Sequence, residues 1–156
     1  MGIFKKLSIG SYVLALGVVL ALIAMIIGIA SSTKYEGFWE PTMGGVIAFT
    51  ILGIVFAAAS IVLGVKFGEK FWTSALLVVT VLFFALAMCY MVMSIMDVMG
   101  TVVFSDLEKG FEPAEYACYV GLASSVIYII ATLVTAVGTF FRVVRKNEGE
   151  LAAKAA

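Results

Sequence analysis

The sequence predicts an all-α membrane protein, a four-transmembrane-helix bundle in a single domain, with both termini cytoplasmic and the four helices arising as two duplicated hairpins. Three observations carry this. The chain of 156 residues is 63% hydrophobic with a mean hydropathy of +1.17 and only 13% charged, where a soluble domain carries about a quarter charged residues. Four long apolar runs occupy most of it. The basic residues collect beside alternate ends of those runs.

The runs are Leu7 to Ala30, Thr42 to Val65, Phe71 to Met96 and Tyr119 to Phe141, and none contains Lys, Arg, Asp or Glu. A bilayer core about 30 Å thick is crossed by roughly 20 helical residues at about 1.5 Å each, so every run is long enough. The period-two alternation of a membrane strand is absent, which excludes a barrel. The first run follows Lys5 and Lys6 as a secretory leader would, but its length, about 22 apolar residues against roughly 7 to 15 for a leader core, predicts a retained signal-anchor. Gly2 does not open a myristoylation motif, because position 6 is Lys6 rather than Ser or Thr.

Lys and Arg are retained preferentially on the cytoplasmic side. Lys5, Lys6, Lys66, Lys70, Arg142, Arg145, Lys146 and Lys154 fall on one side, and Lys34 and Lys109 on the other. Two loops are therefore expected outside, holding seven of the ten acids: Glu36, Glu40, Asp97, Asp106, Glu108, Glu112 and Glu115. Residues 142–156 form a basic cytoplasmic tail suited to acidic headgroups. Aromatic residues mark both interfaces, Phe67, Phe71 and Trp72 inside, Tyr35, Trp39 and Tyr116 outside.

The only two prolines share a context: Gly37-Phe38-Trp39-Glu40-Pro41 leads into span two, and Gly110-Phe111-Glu112-Pro113 into span four. Proline and an acid both suit a helix start, which accounts for Glu-Pro twice but not for Gly-Phe twice. Duplication of a hairpin is the reading that explains both.

Lipid tails are as apolar as leucine, so helices associate through close backbone contact at small residues. Gly17, Ala21, Ala24 and Gly28 form such a stripe in span one, Gly53, Ala57, Ser60 and Gly64 in span two, and Gly121 and Gly138, with Ser124, Ala131 and Thr135 between them, in span four. Span three is instead bulky and rich in Met and Phe. Met88, Cys89 and Met91 suggest soft copper(I) ligands, but the four-residue Met spacing of copper-carrying helices is absent, and flexible core filling is the stronger reading. One bridge between Cys89 and Cys118 is geometrically open; two free thiols are expected.

The chain contains no histidine, which removes the usual general base and His-based zinc sites. Asp97, about 39 Å along the helix from Phe71, falls at the outer interface rather than at mid-membrane. No cofactor, no metal, no nucleic acid and no enzymatic activity are expected. In span number the chain is similar to the small multidrug-resistance transporters without their acid in the first span, and in topology to the claudin-like tetraspans without their long, cysteine-bearing first loop. The expected partners are the lipid bilayer and another membrane protein or a second copy. The expected function is that of an accessory subunit, assembly factor or scaffold, with Glu40, Pro41, Asp97, Glu112 and Pro113 as outer contacts. The alternative is a small oligomeric transporter or channel, with Glu40 and Glu112 attracting a cation and hydroxyls at Thr50, Ser60, Thr80, Ser94, Ser124, Ser125, Tyr128 and Thr132 lining a path.

Overall fold

The computed structural model describes residues 8–35, 41–67, 71–105 and 110–141, with the side chains of Pro41 and Asp97 outside the description. Within these the chain forms four helices, α1 (Ile9–Ser32), α2 (Pro41–Phe67), α3 (Phe71–Met99, continued by a π turn over Gly100–Phe104) and α4 (Glu112–Thr139). All four are long and apolar enough to cross a membrane. Proline occurs only at helix starts, so no proline interrupts the backbone ladders.

The helices outrun the apolar stretches at one end of the bundle. Span three was expected to end at Met96, yet helix persists through Asp97 to Phe104, giving 34 residues from Phe71. Its last turn widens to i→i+5 bonding, with Ser105 N–H donating to Gly100 C=O at 3.0 Å. Span four was expected from Tyr119, yet α4 begins at Glu112. Hydropathy marks where lipid ends, and helix ends are decided by local chemistry instead. Here Glu112 and Glu115 in the first turn complement the helix dipole, Pro113 presets the backbone angle, and Gly110 at φ +86° makes the turn.

Packing follows a ring. α1 lies against α4 and α2 against α3 over most of their lengths, α3 joins α4, and α1 and α2 touch only sparingly. The two chain-adjacent hairpins are thus unequally closed. The main core gathers Phe84, Ala87, Met91 and Ile95 of α3 with Ala21 and Ala24 of α1, Met43 and Val46 of α2, and Tyr128 and Ala131 of α4. Leu14, Ala57 and Leu77 form a smaller cluster, where α1, α2 and α3 meet. The outward faces of all four helices are apolar, as lipid contact requires.

Candidate functional site

The small residues named as packing positions, Gly17, Ala21, Ala24, Gly28, Gly53, Ala57, Ser60, Gly64, Gly121 and Gly138, are all buried. Two seams use them in different ways. Between α1 and α4, small residues face small residues: a Cβ on Gly17 would collide with Thr135, one on Gly28 would come within 3.2 Å of Ser124 Oγ, and one on Gly138 within 3.5 Å of the Leu14 backbone nitrogen. Backbones this close allow hydroxyls to bond across the seam. Ser31 Oγ donates to the Ala117 carbonyl at 2.8 Å, and Ser124 Oγ to the Ala24 carbonyl at 2.7 Å.

Between α2 and α3, small residues face rings. A Cβ on Gly53 would sit 2.5 Å from Phe84 Cε1, and one on Gly45 2.7 Å from Tyr90 Cδ1. The rings continue as a ladder, Phe49 against Tyr90 at 5.3 Å and Phe56 against Phe83 at 5.3 Å between centroids. The bulk of span three is therefore the complement of the glycines in span two. Met91 serves likewise, wholly buried with its methyl and sulfur 3.2 Å from where a Gly28 Cβ would be.

Across the middle, Thr50 of α2 meets Tyr128 of α4 with 2.7 Å between hydroxyl oxygens. Thr50 already donates to the Val46 carbonyl at 2.7 Å. Its single proton is thereby committed, so Tyr128 is the donor to Thr50. The other hydroxyls named as possible path lining are engaged too: Ser60 with Ala57 O, Thr80 with Leu76 O, Ser125 with Gly121 O and Thr132 with Tyr128 O. Ser94 lies 2.9 Å from both Tyr90 O and Thr42 Oγ1, joining α3 to the first turn of α2. Among the described residues no buried side-chain nitrogen or oxygen is left without a hydrogen-bond partner.

The acid-bearing end is only partly described. Glu40 lies outside the described residues, so its pairing with Glu112 is not placed. Pro41 opens α2 and Pro113 falls in the first turn of α4; Asp97 lies within α3 rather than at its end. Glu112 is exposed, while Glu115 turns back to accept the Gly110 N–H at 2.9 Å. Tyr35, just beyond α1, meets Phe111 edge to face at 6.4 Å, tying the end of α1 to the start of α4.

The sulfur groups diverge. Met91 and Cys118 are buried, whereas Cys89 is exposed on the outer face of α3, and both thiols are free. Among the described residues no three His, Cys, Asp or Glu side chains converge on a metal position. Sequence reasoning missed the projection of α3. Its signal was the absence of proline between Pro41 and Pro113, together with a single charge, Asp97, between Phe71 and Ser105. Comparison with protein-family models, with curated proteins and with solved structures finds no match to this chain.

Proposed function

We propose that this protein is a non-enzymatic multi-pass membrane protein that acts by contact, as an accessory subunit, assembly factor or scaffold, with both termini in the cytoplasm. The observation that carries this reading over transport is the fate of the eight hydroxyls suited to line a path. Each is bonded to a helix carbonyl or to another of these hydroxyls. A conducting route needs polar groups that can trade partners with a passing solute, whereas Ser60, Thr80, Ser125 and Thr132 bond carbonyls of their own helices and Ser94, Ser124 and the Thr50–Tyr128 pair bond across to a neighbouring one. Support for contact comes from an acid-bearing end with exposed Glu112.

The hairpin duplication belongs to the same proposal. A two-fold axis along the membrane normal exchanges α1 with α3 and α2 with α4, and so carries the close α1–α4 pair onto the close α3–α2 pair. The looser α1–α2 contact against the closer α3–α4 contact is the departure from symmetry. The test of function is cation flux in liposomes holding the purified protein, alongside a Glu40→Gln, Glu112→Gln variant. No flux from either is expected. Flux in the parent that the double substitution abolishes overturns the contact reading in favour of the channel alternative.

A further inference from the structure

We propose that two copies of this chain pair side by side in the membrane through the outer face of α3, an inference that rests on the membrane reading above. The reason is length. From Phe71 to Phe104 the helix has 34 residues, about 51 Å at 1.5 Å per residue. That exceeds the ~30 Å hydrocarbon core and even the ~40–45 Å that includes headgroups. To hide in the core alone, α3 would tilt by about 54°, beyond the ~0–40° range of membrane helices. Its neighbours fix its height as well. Ser94 is level with Thr42 in the first turn of α2, so residues 95 to 104 reach about 15 Å past the start of that helix.

That projecting segment stays apolar on its outer face. Met96 is 64% exposed, Val103 48% and Phe104 79%. Lipid tails cover such side chains at mid-membrane but not beyond the headgroups, where water would meet them. The exposed row runs Leu82, Leu86, Cys89, Met93, Met96 and Val103, with steps of four and three, and Gly100 between the last two. A comparable row on α1, Ile9, Tyr12, Leu16, Val19, Ile23 and Ile26, has the same spacing, so periodicity alone does not single out α3. What differs is that α1, at 24 residues, is about 36 Å long and lipid suffices for it.

A second copy is the occupant whose cover matches by construction. A parallel two-fold pairing sets each projecting segment beside its own twin at the same height. From Leu82 to Met96, ahead of the π turn, the four-and-three spacing is that of a left-handed helix pair. Gly100, where a Cβ would meet nothing within 4 Å in the protomer, lets the two backbones approach. The row with Phe104 offers on the order of 700 Å² per copy, taking about 200 Å² for a fully open large side chain. Two copies reach roughly 1,400 Å², within the ~1,200–2,000 Å² of specific interfaces.

Oxidative cross-linking of the full chain in native membranes tests the pairing. Cys89 should yield a disulfide-linked dimer, kept in Cys118→Ser and lost in Cys89→Ser. In a chain lacking both native thiols, Met96→Cys and Val103→Cys should restore the dimer and Ile23→Cys on α1 should not. Gly100→Ala and Gly100→Trp, the first of which meets nothing within 4 Å in the protomer, should lower the Cys89 yield in that order, the second several-fold. Absence of dimer at Cys89, Met96 and Val103, equal yields at Ile23 and Met96, or linkage of Met96→Cys to a different protein would each overturn the proposal. Alkaline carbonate extraction of the same samples separates the two readings. Release from the membrane overturns the membrane assignment itself, whereas retention without cross-links overturns the pairing alone.

Discussion

Two glycines on α2 separate the effect of packing from that of helix propensity. Gly53 and Gly44 lie on one helix nine residues apart. A Cβ at Gly53 would stand 2.5 and 2.7 Å from Phe84 Cε1 and Cδ1, while one at Gly44 would meet nothing within 4 Å. Phe84 is wholly buried in the main core. Adding a methyl against a close-packed ring costs about 1–3 kcal/mol. The gain in helix propensity from Gly to Ala, about 1 kcal/mol, applies to both positions. Gly53→Ala should therefore lose stability by about 1 kcal/mol net, and Gly44→Ala should gain up to about 1 kcal/mol. The contrast of about 2 kcal/mol corresponds to a separation of about 4–8 °C in melting temperature for a chain of this size. Circular dichroism melts of the two variants in one mild detergent measure it. Equal melting temperatures would refute the account of α2 and α3 as glycine against ring.

The Thr50–Tyr128 pair makes an asymmetric prediction. Thr50→Val strands a buried tyrosine hydroxyl and should cost about 1–3 kcal/mol, whereas Tyr128→Phe leaves Thr50 still bonded to Val46 O and should cost about 0.6 kcal/mol. Steric-trapping stability measurements on both variants check the order, and a larger loss for Tyr128→Phe contradicts it. In the protomer dispersed in detergent, lipid-soluble maleimides should modify Cys89 and reach Cys118 only after denaturation, since one is exposed in the single chain and the other buried; mass spectrometry of labelled peptides reads both. At Gly110, with φ +86° and open space around a new Cβ, Ala should cost about 1–2 kcal/mol through backbone strain alone. A Gly110→Ala melt unchanged from the parent would show that this turn relaxes freely.

The four helices and their small-residue faces were legible because both are one-dimensional signals. Twenty apolar residues read as a span whatever they pack against, and Gly17, Ala21, Ala24 and Gly28 share a face by spacing alone. What the small residues meet was not legible. Gly53 faces the ring of Phe84 whereas Gly17 faces Thr135, and no local pattern in α2 or α1 distinguishes an aromatic partner from a hydroxyl one. The outer ends were misjudged for a related reason. Asp97 and Gly100 resemble an exit from the membrane, yet helix carries on through them, as no proline or glycine pair stops it before Ser105. Of the outer contact residues, only Glu112 and Pro113 have described side chains.

The division of polar groups bears on how such a chain recognises anything. A hydroxyl that bonds a carbonyl on a neighbouring helix, as Ser31 and Ser124 do, holds that helix at one depth as well as one distance. Small residues alone permit sliding along the seam; a directional bond about every two turns does not. The α1–α4 seam is therefore fixed in register, and Ser94 with Thr42 does the same for α3 against α2. Fixed registers turn the extra length of α3 from a local accident into a constant feature of the bundle. No sliding of helices can withdraw Val103 and Phe104 toward lipid without breaking those bonds. In the proposed pairing a second copy must meet this edge at that height, and a chain that cannot pair is expected to aggregate first from the projecting end of α3.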